Sequence, residues 1–217
     1  MPAVKHLVIT GGSGGLGKAI IEVFAAASWE IAAPGRAELD VTDPVAVRSY
    51  FELRQVDLLV CAAGIIRDAP LARLDESAWD EVLAVNYQAA AACAAAVLPA
   101  MIGQGGGHIV FISSRSALHP PPGQVAYATA KAALLGLTAS LARTNSRHGI
   151  RVNAILPGFL ETRMTESVSD VRKADILREH VLGRFNTPDT VSKFIRHLHE
   201  DLLNTSGQVF QLDSRIS

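Results

Sequence analysis

Cysteine is scarce in this 217-residue chain, with only Cys61 and Cys93. Both lie inside apolar or alanine-rich runs, which fits two buried free thiols in a reducing compartment and excludes a disulfide-stapled scaffold. Charge of one sign is also missing. Lys and Arg total 20 against 21 Asp and Glu, for a formal net charge of −1. There is no basic cluster to hold nucleic acid and no acidic tail to act as a solvating arm. The segment from Met1 to His6 leads into a short apolar run that meets glycines after Thr10, without the long apolar core and cleavage site of a secretory leader. The stretch from Ala89 to Ile102 is apolar but too short to span a bilayer and is interrupted by Pro99, so it reads as a packed helix. No internal repeat, low-complexity linker or metal-ligand cluster stands out. What is left is a chain of one-domain length, 49% apolar and 19% charged, ordinary for a soluble globular protein.

The apolar pattern alternates between short buried runs and helical spacings. Leu7–Ile9, Glu30–Ala33, Leu58–Cys61, Ile109–Ser113, Arg151–Leu156 and Gln208–Leu212 read as strands. Helices are expected over Ala19–Ala27, from Asp43-Pro44 onward, over Glu76–Met101, Gln124–Ser146 and Pro188–Asp201. Strands alternating with helices predict a parallel sheet covered on both faces. Sheets of this kind bind ligands at the carboxyl ends of their strands. Those ends carry a glycine cluster from Gly11 to Gly17, then Gly64, Ser114 and Pro157-Gly158.

Two constellations carry chemistry. The first is Thr10-Gly11-Gly12-Ser13-Gly14-Gly15-Leu16-Gly17 between a strand and a helix. Glycines here let a phosphate approach the backbone, and the helix that follows presents free N–H groups. By itself this loop says only dinucleotide or phosphate. The second is Tyr127 and Lys131, four residues apart and hence on one helix face, with Ser114 thirteen residues upstream at a strand end. A nearby ammonium favours a phenolate, so the expectation is a lowered tyrosine pKa.

Taken together, these motifs resemble the short-chain dehydrogenase/reductase family in its classical, single-domain form. The family's Thr-Gly-x-x-x-Gly-x-Gly loop matches Thr10, Gly11, Gly15 and Gly17. Its Asn, Ser, Tyr, Lys tetrad falls on Asn86, Ser114, Tyr127 and Lys131. Its proline-glycine turn with a later threonine matches Pro157, Gly158 and Thr162. The segments Leu182–Pro188 and Ser206–Val209 look like those of 3-oxoacyl-(acyl-carrier-protein) reductases.

The resemblance implies an α/β fold, a single Rossmann-type doubly wound domain over 1–217 with a substrate lid at about 159–185. It implies an oxidoreductase moving a hydride between a nicotinamide cofactor and a carbonyl or secondary alcohol, with a 3-oxoacyl thioester on a carrier as one candidate substrate. Tyr127 would be the general acid or base. Ser114 would hold the substrate oxygen, and Lys131 would bond the nicotinamide ribose and lower the tyrosine pKa. Asn86 would hold a water linking Lys131 to solvent. Cofactor contacts would come from Gly11, Ser13, Gly14, Gly15, Leu16, Gly17, Ala63, Gly64, Tyr127, Lys131, Pro157, Gly158 and Thr162.

The second strand ends without an acid, and Arg36 is placed to meet a 2′-phosphate, which favours NADP(H) while leaving NAD(H) open. Asp40 and Val41 resemble the element beside the adenine ring. His119-Pro120-Pro121-Pro122 reads either as pocket lining or as a stiff loop. Arg115 and Arg172 read as carrier contacts or plain surface arginines. A cytoplasmic homodimer or homotetramer is expected, with no nucleic acid, membrane or metal. The alternatives are an NAD-dependent alcohol or sugar dehydrogenase, a sugar-nucleotide epimerase or dehydratase, and a catalytically silent dinucleotide-binding regulator.

Three departures stand out. Only Arg36 to Leu39 separate the second strand from Asp40, too few for a crossover helix and a further strand. About six main strands are therefore expected in place of seven. The family's Asn-Asn-Ala-Gly appears as Cys61-Ala62-Ala63-Gly64, and its terminal Asp-Gly-Gly as Asp213-Ser214-Arg215.

Overall fold

The computed structural model describes residues 4–216. Six strands form one parallel sheet: β1 (His6–Thr10), β2 (Glu30–Ala32), β3 (Leu58–Cys61), β4 (Gly107–Ile112), β5 (Ile150–Leu156) and β6 (Val209–Gln211). Their spatial order is β2-β1-β3-β4-β5-β6. The chain leaves β1 toward one side to make β2 and returns to the other side to make β3. β1 thus marks the switch point, where a crevice opens at the carboxyl edge.

The helices are α1 (Gly15–Ala25), α2 (Pro44–Phe51), α3 (Glu76–Leu83), α4 (Ala89–Gly103), α5 (Val125–Asn145), α6 (Asp170–Arg178) and α7 (Pro188–Glu200). Two of them start as their sequences dictate. Asp43 caps α2 by accepting from the Val45 and Ala46 N–H groups at 2.8 and 3.3 Å, with Pro44 in the first turn. Thr187 caps α7 in the same way, ahead of Pro188.

Alternate strand residues supply two cores. Leu7, Ile9, Leu58, Val60, Val110 and Ile155 face α1 and α7, meeting Ile20, Phe24, Val191 and Ile195. Val8, Leu59, Cys61, Ile109, Phe111 and Val152 face the other way, meeting Val47, Phe51, Ala94, Val97 and Leu134. The expected doubly wound sheet is therefore present, with six strands.

Between β2 and Asp40 there is only a turn over residues 36–38, closed by the Glu38 and Leu39 N–H groups on the Gly35 carbonyl at 2.9 Å. No helix or strand lies there. Leu39 instead inserts into the core beside Val8 and Val47. β2 is thereby left as a three-residue edge strand.

The helix expected over Glu76–Met101 is present, with two local irregularities. Pro99 does not break its helix: α4 runs through it to Gly103. A proline removes one donor and crowds the preceding turn, but an apolar helix held between α2 and the sheet tolerates that cost. The other irregularity is a π-helical turn, Ala84–Gln88, between α3 and α4. Both cysteines are free and buried, as expected. Burial pushes the Cys93 thiol up to about 12 and the Cys61 thiol higher than its ordinary value.

At the opposite, amino edge of the sheet, Arg151 donates to the carbonyls of Leu198, His199 and Leu202 at 2.8–3.1 Å, closing the end of α7. His108 and His199 stack beside it with ring centroids 5.5 Å apart. Burial and the Arg151 charge hold both imidazoles neutral, His199 down to about 3. In the folded state both remain unprotonated below the unfolded value of 6.5, so the unfolded chain binds the extra protons. Stability is therefore greatest above pH 6.5 and falls as acid is added, with His199 approaching a slope of about 1.4 kcal/mol per pH unit only well below 6.5 and His108 acting in the same direction. Urea unfolding between pH 7 and about pH 5.5 should show stability falling with acid, and falling less steeply in His199→Phe.

Candidate active site

The carboxyl edge of the sheet gathers the residues that the sequence singles out. β1 ends at Thr10, and Gly11 follows at φ +76°. A Cβ on Gly11 would lie 2.6–2.8 Å from the Ala62–Ala63 backbone, and one on Gly17 would collide with the Gly11 carbonyl oxygen. The glycine loop is therefore packed against itself and against the end of β3. A Cβ on Gly15 would meet Thr162 Cγ2 at 2.8 Å, which brings the segment after β5 onto the loop. α1 starts after Gly14 with no side-chain cap. Its first N–H groups therefore face the crevice unclaimed by a side chain, and no acidic side chain stands in its first turn. This cradle fits a pyrophosphate.

Gly17→Ala offers a clean test of that packing. Alanine in place of glycine gains up to about 1 kcal/mol of helix propensity. The methyl, however, meets backbone atoms that cannot swing away, so overpacking of about 1–3 kcal/mol should win. A lower melting temperature and dinucleotide affinity reduced about tenfold or more are expected, by thermal unfolding and fluorescence titration.

The four tetrad positions converge from three elements: the end of β4, α5 and the π-helical turn. Ser114 follows β4 in extended conformation and accepts from the Ser116 N–H at 3.1 Å, which leaves its own proton free to donate. Tyr127 sits in the first turn of α5, its ring in an apolar cluster with Val82, Ala126, Ala130, Ile65 and Trp79. Lys131, one helical turn on, is 4% exposed. Its Nζ donates to the Ile112 carbonyl at 2.8 Å and stands 5.7 Å from the Tyr127 ring centre. The Ser113 hydroxyl donates to the Lys131 carbonyl at 2.8 Å, tying β4 to α5.

Asn86 lies in the π-helical turn, an irregularity often found at functional sites. Its amide donates to the Val82 and Ile65 carbonyls at 2.9 Å, and its Oδ1 accepts from the Ile65 N–H at 3.3 Å. Both side-chain donors are spent on backbone, so the side chain braces the loop after β3. A Cβ on Gly64 would come within 2.8 Å of Asn86 Oδ1 and 3.6 Å of Lys131 Nζ. Bracing lost from the sequence Cys61-Ala62-Ala63-Gly64 is thus partly supplied from Asn86. Asn86→Ala should cost about 1–3 kcal/mol in urea unfolding, because it orphans buried carbonyls.

The electrostatics differ from expectation in one respect. Burial pushes the Tyr127 phenol above its ordinary value, against a lowering bond from the Ser114 hydroxyl and with a further rise from Asp68. Lys131 does not pull the phenol down. Its own burial drops the ammonium from 10.5 to about 8. Desolvation of both groups outweighs their attraction, with the ammonium committed to a carbonyl.

The remaining residues fall around this centre. Gly158 follows Pro157 at φ +84°, and a Cβ there would lie 2.6 Å from Asp213 Cβ. Thr162 and Thr165 form a capping box at the start of the segment after β5. Ala63 stands against Gly11, Ser13 is exposed in the glycine loop, and Leu16 and Val41 pack on the cores of opposite sheet faces. Arg36 is 85% exposed and pairs with Asp40 at 3.7 Å, and Asp40 also accepts from the Thr42 N–H and hydroxyl. The Thr42 bonds, more than Arg36, hold the Asp40 carboxyl below its ordinary value. Arg115 reaches Glu179, at the end of α6, at 3.9 Å. Arg172 lies exposed on α6. Sequence reasoning missed Asp68, Ser116 and Gln124, which link the loops around Tyr127 through polar bonds.

A doubly wound sheet with a glycine-rich loop at its switch point and a Tyr-x-x-x-Lys helix beside a strand-end serine defines a dinucleotide-binding oxidoreductase class. The short chain dehydrogenase family model matches residues 36–173, more than half of the chain. The chain belongs to that family. Among similar curated proteins is the 3-oxoacyl-(acyl-carrier-protein) reductase of Thermotoga maritima, 35% identical over 96% of each chain. The enzymes of the same name from Escherichia coli and Chlamydia trachomatis are 33% and 34% identical, over 91% and 96% of this chain and 90% and 96% of their own. The Thermotoga alignment runs over 236 residues, longer than this chain, so that relative carries segments absent here. The protein is an oxidoreductase acting on a carbonyl or CH–OH group with a nicotinamide cofactor.

Proposed function

We propose that the chain is an NADP(H)-dependent reductase that converts a ketone to a secondary alcohol, with a 3-oxoacyl thioester on an acyl carrier as its substrate class. The observation that carries this is the meeting of Ser114, Tyr127 and Lys131 beside the glycine loop, together with relatives named as 3-oxoacyl carrier reductases. Gly11 to Gly17 and the start of α1 would hold the pyrophosphate. Lys131 and Gly64 would meet the ribose on the nicotinamide side, Pro157, Gly158 and Thr162 the nicotinamide, and Asp40 and Val41 the adenine. Arg36 would take the 2′-phosphate, since its side chain is exposed and tied only to Asp40. Bound in this cradle, a nicotinamide supplies or accepts the hydride.

The side chains move the proton and hold the oxygen. The Ser114 hydroxyl, accepting from Ser116 N–H, is free to donate to the substrate oxygen as charge develops there. The Tyr127 phenol donates its proton to that oxygen in reduction and takes it back in oxidation. A raised phenol pKa suits the acid role, because the group stays protonated at neutral pH. Lys131 stands behind Tyr127, and a water held at the π-helical turn that carries Asn86 would link it to solvent.

The lid at about 159–185 includes α6 and the His180–Arg215 bridge. Its Met164 reaches Gly64. Loops of this kind set specificity on a rigid scaffold. Two helical stretches, Glu76–Gly103 and Val125–His148, are long and apolar enough to cross a membrane by composition. Their α4 and α5 portions pack here against the sheet as core helices, and a cytoplasmic location is proposed for the enzyme. A homodimer or homotetramer is the assembly proposed.

A panel of ketones and acetoacetyl thioesters, assayed with NADPH and NADH, tests this reading. Faster oxidation of NADPH on thioester addition is expected. Cofactor binding without turnover across the panel would favour a regulator instead.

A further inference from the structure

We propose that Gln124, with Asp68 and Ser116, is a positioning device that fixes Ser114 against Tyr127. This inference rests on the proposed reductase reading only for its kinetic test. The bonds form a continuous chain. The Ser116 N–H donates to Ser114 Oγ at 3.1 Å, the Ser116 hydroxyl donates to Gln124 Oε1 at 2.9 Å, and Gln124 Nε2 donates to Asp68 Oδ2 at 2.8 Å. Three separate loops are joined: the one after β4 that carries Ser114, the one after β3 that carries Gly64, and the entry to α5. The Ala69 N–H adds a backbone bond to the Gly123 carbonyl at 2.9 Å, beside the same junction.

Gln124 is suited to this place by its chemistry. It stands at the N-cap of α5 without making a side-chain cap bond, so its amide is spent on the network. One end accepts and the other donates, so it joins a hydroxyl to a carboxylate with no charge of its own. Its position three residues before Tyr127 puts it one turn from the phenol. Ser114 is thereby held with its lone pair occupied and its proton directed away from Ser116. Misplacement of such a group by about 1 Å can cost about a hundredfold in rate.

The Asp68 carboxylate has a second effect on the same site. It is itself raised by burial, against the lowering bond from Gln124, and its charge lifts the Tyr127 phenol. The titratable groups around that phenol are Lys131 on its own helix, Asp68 on the loop after β3 and Tyr87 packed from the π-helical turn.

Three variants test the device. Gln124→Ala should lower kcat about tenfold or more while leaving the KM for the reduced nicotinamide unchanged. Gln124→Glu should fall similarly, because two carboxylates then face each other. The double variant Asp68→Asn/Gln124→Glu reverses donor and acceptor and should recover most of the lost kcat, an exchange that loss of fold would not give. A kcat for Gln124→Ala within about twofold of the parent, or no recovery in the double variant, would overturn the proposal.

A readout independent of turnover is the phenolate titration of Tyr127 by ultraviolet difference against Tyr127→Phe. The midpoint should move down in Asp68→Asn, and an unmoved midpoint would count against Asp68. If the parent turns over no ketone, the reductase reading fails, and this titration still decides whether Asp68 acts on Tyr127.

Discussion

Tyr127→Phe is expected to lower turnover by about 10² to 10⁴, the contribution typical of a positioned general acid. The substitution removes one oxygen from a ring otherwise enclosed by Val82, Ala126, Ala130 and neighbouring apolar side chains. Phenylalanine fits that cluster, so the fold should persist, and thermal unfolding should change little or rise slightly. Dinucleotide affinity should also hold, because the glycine loop and α1 do not depend on the phenol. The loss therefore belongs in kcat, with the cofactor constant unmoved. Retention of most activity would remove Tyr127 from the chemistry.

Lys131→Met should separate activity from stability in the opposite sense. The ammonium is buried, and its pKa falls from 10.5 to about 8. At about 1.4 kcal/mol per unit, its burial costs the folded state on the order of 3 kcal/mol at neutral pH. Methionine keeps the length without the charge, but leaves the Ile112 carbonyl without its donor, at about 1–3 kcal/mol. Relief of the buried charge outweighs the lost bond, so a net gain of about 1 kcal/mol is expected while turnover falls about a hundredfold.

The sign with pH follows. The folded chain binds fewer protons than the unfolded chain between about 8 and 10.5, so the penalty is full below 8 and relieved as pH rises through that window. Urea unfolding should therefore show the advantage of Lys131→Met at pH 7 and its loss above about pH 10. An unchanged or lower stability at pH 7 would mean that the carbonyl bond matters more than the desolvation.

The residues of this site differ in how far spacing alone reveals them. Tyr127 and Lys131 are legible because four residues make one helical turn, and the glycine loop because its flanks switch from strand to helix. The missing crossover before Asp40 is legible by length: four residues cannot form a helix and another strand, and the structure has only a turn there. The chain Asp68–Gln124–Ser116 is not legible, because its bonds join residues as far as 56 positions apart and follow no period. The π-helical turn around Asn86 is invisible because its residues are ordinary helix residues in composition. The direction of the Tyr127 shift depends on how completely the site is buried, which no spacing encodes. Pro99 shows the same limit, since tertiary packing there overrides a residue that usually ends helices.

Whether this chain transfers a hydride to a ketone with Tyr127 as its acid is tested most directly by isotope transfer. An acetoacetyl thioester is reduced with a nicotinamide cofactor deuterated on both faces of its transferable ring carbon. One deuterium is expected on the carbinol carbon of the alcohol formed by the parent protein, and almost none of that alcohol should be formed by Tyr127→Phe. A parent that binds the cofactor yet leaves the label in place with every ketone offered would contradict the assignment.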